Sequence, residues 1–312
     1  MKLKRRQTDR LLLSERRLRT ALWEVVDKRF TKVENRLFDW LVGLFTTQEE
    51  RYIDAIKIEY VKTGETKNCG LRIADCGLEE TSSIPKSSIR NPQFGSFRNS
   101  LTKEPVEVLN GINKQQALEW HIWKDAAFLE FTELVDDAGK FGLKRAKIQG
   151  AWDVLNPQVL LFLDEKVFNF ANGLTDSIGD ALRETLREAI RNGESIEQMT
   201  ERIQKVFQGT VRGDAPRARI IARTEATGIV NGGQRLAYQQ NADIVEGVEW
   251  LSSKDARVRP SHQAADGQQV LLNKPFTVGG ALLRFPGDPQ GPAREVVNCR
   301  CTILSILKKV SS

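Results

Sequence analysis

The sequence predicts an α+β protein, with a mostly helical N-terminal part built from long helices and a C-terminal module of helix plus a small, mainly antiparallel sheet. Apolar residues recur at steps of three and four through the front of the chain, which is helical periodicity. Beyond Gly247 short β-like runs replace them, separated by turn residues. Composition is that of a folded chain: 312 residues, 40% hydrophobic and 28% charged, with 23 glycines and four cysteines. These values exclude a collagen, a disulfide scaffold and a wholly disordered chain. The length suggests about two domains.

The first element is a long helix. Leu18, Leu22, Val26, Phe30, Val33, Leu37, Trp40 and Leu44 form one seam. Such a seam is open to a partner helix or subunit, although packing on the chain's own core is the commoner outcome. Gly43 is a point where the helix can break before continuing through Ile53, Ile56 and Tyr60. We assign residues 1–62 to this helical, basic segment. Residues 63–112 read as a turn-rich insertion containing Cys69 and Cys76, two thiols without further metal ligands nearby.

Residues 113–165 read as a second helical segment, rich in aromatics and bounded by Asn156-Pro157. In residues 166–312, Thr175 caps a helix that Gly193 stops. Ser195 and Gln198 form a capping box for the next helix, and Pro216 opens another. Strands follow at Val248–Leu251 and Gln269–Leu272, with a hairpin turning at Gly279-Gly280. The closing run Val296–Leu307 is apolar on both faces and is expected at the centre of the sheet.

The net charge of +6 sits in the first 19 residues. Lys2, Lys4, Arg5, Arg6, Arg10, Arg16, Arg17 and Arg19 face only Asp9 and Glu15 there. This tail suits contact with nucleic-acid phosphates or an acidic protein surface; the plainer alternative is a solvated helix start. The basic start leads into too short an apolar run for a secretory signal, so the thiols are expected in a reducing compartment. No run reaches the length needed to span a bilayer, and no membrane partner is expected.

Unusual residues concentrate near the C-terminus. Arg223 and Glu225 edge an apolar helix face, where an unpaired charge is costly, so each is expected to find a partner in the strand region. Asp255, Arg259, His262 and Asp266 crowd one loop, with His262 and Asp266 placed on one face of a single helical turn. Period-two alternation puts Cys299 and Cys301 on the same side of the chain. With His262 they would give zinc three ligands, the fourth being Asp266, Asp255 or water; two plain buried thiols are the alternative.

These residues carry a resemblance. Ala222-Arg223-Thr224-Glu225, then Trp250 with Asp255, Arg259, His262 and Asp266-Gly267, then Phe285-Pro286-Gly287-Asp288-Pro289, then Asn298-Cys299-Arg300-Cys301 resemble the motif series of the phage Mu F-like head morphogenesis family. The resemblance runs over roughly residues 167–305. It implies a minor capsid protein of a tailed phage, made in the host cytoplasm and carried at the portal vertex or inner head. It implies the portal protein and the coat or scaffolding proteins as partners, packaged DNA as a further contact, and a role in procapsid assembly, DNA packaging or DNA delivery. The alternative is a metal-dependent hydrolase or nucleic-acid-processing enzyme using Glu225, His262 and Asp266, with Glu225 as base to a metal-bound water. A structural cluster of Arg223, Glu225, Asp255, Arg259, His262 and Asp266 is preferred, because the sequence has no phosphate-cradling glycine loop.

Overall fold

A computed structural model describes residues 2–62, 104–211 and 216–309, with side chains for 17–58, 109–195, 197–208 and 217–309. Five long helices come first: α1 (Lys2–Lys62), α2 (Glu104–Ala146), α3 (Pro157–Arg191), α4 (Ile196–Val211) and α5 (Pro216–Gln240). Then follow β1 (Val245–Leu251), α6 (Pro260–Ala264), β2 (Gln269–Leu271), β3 (Phe276–Val278), β4 (Ala281–Leu283), α7 (Ala293–Val296) and β5 (Thr302–Leu307). The expected α+β class is observed. No described helix is long and apolar enough to cross a membrane.

The helices divide into two compact units. One gathers residues 1–41, 125–169 and 216–312; the other gathers 42–124 and 170–215. In the second unit Phe45 meets Trp123 at 5.1 Å between ring centroids, Trp123 meets Phe170 at 5.8 Å, and Tyr52 meets Phe207 at 6.1 Å. Beside them Arg51 donates to both oxygens of the fully buried Glu119, at 2.6 and 2.8 Å. A bidentate pair of this kind satisfies a carboxylate that burial alone would penalise.

Several local expectations need correction. Gly43 does not break α1, because the buried stripe continues past it through Phe45, Tyr52 and Ile56. The stripe passes through Val26, Phe30, Val33, Leu37 and Leu41, leaving Leu18 61% exposed, and it is buried within this chain. The seam therefore serves the chain's own core. Residues 104–112, assigned to the insertion, are helical and open α2, with Pro105 in its first turn, where its missing N–H is harmless. Thr175 caps nothing: it lies inside the unbroken α3, and its Oγ1 donates to Ala171 O at 2.7 Å. Cys69 and Cys76 fall outside the described residues.

Other punctuation is where the sequence put it. Gly193 ends α3 with φ of +66°, and the Glu194 N–H reaches Ala189 O at 3.0 Å. The Ser195 N–H donates to Gln198 Oε1 at 2.8 Å while the Gln198 N–H returns to Ser195 Oγ at 3.4 Å. Ser195→Ala is expected to lower stability by about 1 kcal/mol, read as a shifted urea midpoint at unchanged slope.

The main sheet has the order β2-β1-β5, both pairings antiparallel, and β3-β4 forms a separate hairpin turning at Gly279-Gly280. So β5 lies at the edge and β1 at the centre, against the expectation. The apolar outer flank of β5 is met by helix side chains instead of another strand. Ile303 pairs with Trp250 but sends its backbone outward, the N–H to Asn231 Oδ1 of α5 at 3.2 Å and the C=O to Arg145 of α2 at 2.5 Å.

Candidate functional site

The site lies in the unit that holds the sheet, where α5 packs on β1 and β5. Asn231 is fully buried in α5 and ties three segments together. Its amide donates to Thr227 O, Pro286 O and Cys301 O at 2.9, 3.1 and 3.0 Å, and its Oδ1 accepts from Thr302 Oγ1 at 2.9 Å. Thr227 Oγ1 adds a bond to Cys299 O at 2.5 Å. Both cysteine carbonyls are thereby pinned to one helix. Gly287, at φ +80°, makes this possible, since a Cβ there would stand 2.6 Å from Gly228 N.

His262 lies on α6, a short turn started by Pro260. Its ring is 1% exposed and meets Trp250 edge-on at 5.6 Å. Nδ1 is 3.3 Å from Cys301 Sγ and 3.5 Å from Cys299 Sγ. The three donor atoms lie within 4.8 Å of one another, and both cysteines are free and buried. On the other side of the ring Nε2 is 3.1 Å from Glu295 Oε2, which also accepts from Ser261 Oγ at 2.8 Å. Gly279 at the β3–β4 turn leaves room for this carboxylate, which a Cβ would overlap. Burial opposes ionisation of the Cys299 thiol, but hydrogen bonds from Cys301, the nearby charge of Arg259 and backbone N–H groups set it below its ordinary range. Burial pushes the Cys301 thiol well up, and its contact with Cys299 adds to this.

The other sequence-selected residues are placed apart from this triad. Asp266 is not beside the sulfurs: its oxygens take Ser252 N–H at 2.8 Å, Ser252 Oγ at 3.0 Å, Lys254 Nζ at 2.7 Å and Arg19 at 3.0 Å. It lies beyond the end of α6, so the shared face with His262 does not form. Asp255 pairs with Arg300 at 2.9 Å. Arg259 donates to Val297 O. The partner expected in the strand region is found for Arg223 but not for Glu225. Arg223 forks onto Glu34 of α1 at 2.8 and 3.0 Å and also donates to Asn298 Oδ1, on the approach to β5, at 2.8 Å. Glu225 pairs with Lys166 of α3 at 2.7 Å, the two side chains being 13% and 4% exposed.

Of the basic tail, Arg19 is bound inward to Glu249 and Asp266, while Arg17 is exposed. The side chains of Lys2, Lys4, Arg5, Arg6, Arg10 and Arg16 fall outside those described. Burial raises the Asp266 carboxyl, but Lys254, the Ser252 N–H and Arg19 outweigh it and hold it below its ordinary value. A lowered carboxylate stabilises the fold above its unfolded pKa of about 3.9, and that contribution is lost as pH falls through the lower folded value. Asp266→Asn is therefore expected to flatten the acid limb of a stability profile measured between pH 6 and pH 3.

Sequence reasoning did not find Lys166, Asn231, Arg235 or Glu295. Arg235, 4% exposed, donates to Leu272 O and Lys274 O at 2.6 and 2.8 Å and also to Arg284 O. Burial pushes its guanidinium down to about 10, against the pull of Asp288. The available signal for Lys166 is a single base set in an apolar helix stripe with Phe162, Leu163 and Phe170; Arg235, with Asn231, Gly232, Tyr238 and Gln239 on its face, carries none.

Comparison with known proteins agrees with the motif series. Residues 180–304 match the family described as Phage Mu protein F like protein. The NAD(+)--arginine ADP-ribosyltransferase EFV of Enterococcus faecalis is 24% identical over 151 residues, 48% of this chain and 29% of that protein. The uncharacterized protein YqbB of Bacillus subtilis is 29% identical over 120 residues, 37% of this chain and 38% of that protein. The chain thus spans well under half the length of either relative. No solved structure matches it significantly. Residues 180–304, about two fifths of the chain, are thus similar to the phage Mu F-like protein family.

Proposed function

We propose that this protein is a minor capsid protein of a tailed phage, held at the portal vertex or inner head and acting in procapsid assembly, DNA packaging or DNA delivery. The family match over residues 180–304 carries this reading. Its partners are the portal protein and the coat or scaffolding proteins, with packaged DNA as a further contact. The C-terminal module is a clamped structural unit. His262, Cys299 and Cys301 are at most 2% exposed, which gives a substrate no access, and Glu225 is engaged by Lys166. This geometry favours a structural module over the hydrolase alternative.

Because the α1 stripe is used inside the chain, docking falls to the basic start of α1 and not to its apolar seam. Co-expression of the full chain with its cognate portal, coat and scaffolding proteins tests the reading. The chain is expected to sediment with procapsids. Replacing Lys2, Lys4, Arg5, Arg6 and Arg10 by glutamine is expected to reduce incorporation at least tenfold without changing the melting temperature. Shells that assemble normally and contain none of the wild-type chain would overturn the proposal.

A further inference from the structure

We propose that His262, Cys299 and Cys301 bind one zinc ion, with the imidazole ligating through Nδ1 and Glu295 holding the opposite ring nitrogen. Three observations converge on this site. The first is spacing. Ligands sharing one tetrahedral zinc stand roughly 3.5 Å apart for N···S, given bonds of about 2.0–2.1 and 2.3 Å. The two observed N···S separations are 3.3 and 3.5 Å.

The second is proton accounting. A carboxylate can only accept, so Glu295 requires a proton on Nε2 of His262. In the neutral ring that leaves Nδ1 a single lone pair, and two buried sulfurs stand within 3.5 Å of it. One lone pair serves only one thiol, which leaves the other no better acceptor than the neighbouring sulfur, a weak one. One cation resolves the conflict, taking the lone pair and both thiolates while the two thiol protons leave to solvent.

The third is the surrounding support. The Cys301 N–H points at Cys299 Sγ at 3.4 Å, and Thr227 and Asn231 hold the two cysteine carbonyls. Glu295 is not part of the ligand set; it fixes ring orientation and tautomer, the usual work of a carboxylate behind a ligating histidine. One nitrogen and two sulfurs suit zinc better than calcium or magnesium, which take oxygen. A water completes the tetrahedron.

The test uses the full chain, reduced, loaded with zinc alone and passed through gel filtration before elemental analysis. About one zinc per chain is expected. Loading with cobalt(II) alone is expected to give thiolate charge-transfer and tetrahedral ligand-field absorption. Cys299→Ser and Cys301→Ser are each expected to abolish the charge-transfer intensity of the second thiolate or to lose the metal. Glu295→Gln is expected to keep the metal and weaken affinity on the order of 10–100-fold in chelator competition. Asp266→Asn is expected to leave stoichiometry and affinity unchanged. Should the cysteine variants fail to fold, the cobalt spectrum and chelator competition of the wild-type chain decide. Less than about 0.1 zinc per folded wild-type chain, or a cobalt spectrum without thiolate bands, overturns the proposal.

Discussion

Asn231→Ala is expected to destabilise the sheet-bearing unit by about 4 kcal/mol, a large share of the 5–15 kcal/mol that usually holds a domain together. The reason lies in what the alanine leaves behind. The Ile303 N–H, Thr302 Oγ1 and the Cys301 and Pro286 carbonyls all use this one amide, and all are remote from water. Each abandoned buried group costs about 1–3 kcal/mol, and the missing amide also leaves a void. Urea unfolding should show the lower midpoint at unchanged slope, and amide exchange at Ile303 should accelerate before that of β1. A loss under about 1 kcal/mol would mean that this unit tolerates those groups unpaired, against the packing described for α5.

Breaking the Lys166–Glu225 pair is expected to cost about 3–5 kcal/mol, because the survivor is a charge with almost no access to water. Glu225→Gln leaves the Lys166 ammonium against Gly228, where a Cβ would stand only 2.6 Å from Nζ. The ammonium therefore has little room to swing away. Replacing both, Lys166→Met with Glu225→Leu, is expected to recover most of the loss, since two packed apolar side chains avoid the desolvation that the ion pair overcomes. A double-mutant cycle read by urea unfolding measures the coupling. If the double variant is as unstable as the sum of the singles, the pair is not what holds α3 to α5. The same cycle bears on the hydrolase alternative, which needs Glu225 as a base and not as a structural counter-charge.

What was legible in the sequence was local. Gly193, the Ser195/Gln198 box, Pro157 and the Gly279-Gly280 turn act through a few neighbouring residues, and each works as read. The selection of His262, Cys299 and Cys301 rested on residue type and alternation, and the fold brings these three together. The charged residues were harder. Asp266 lies as near to His262 in sequence as any acid, yet its carboxylate is taken by Arg19 from the far end of the chain. Glu295 carried no local mark, and only the α7 turn puts it behind the histidine. Ionic partners are chosen by where helices cross, which periodicity does not encode. The expectation for β5 failed for a related reason: an apolar strand looks the same whether its flank is covered by another strand or by a helix.

That covered flank has a consequence for crowded assembly. An open strand margin invites the margin of a neighbouring molecule, and this is how many β-rich proteins begin to aggregate. At Ile303 both outward backbone groups are already occupied by Asn231 and Arg145, so the first rung a foreign strand would need is missing. A foreign strand would have to begin its pairing beyond Ile303, and loss of either side chain would lengthen the margin open to it.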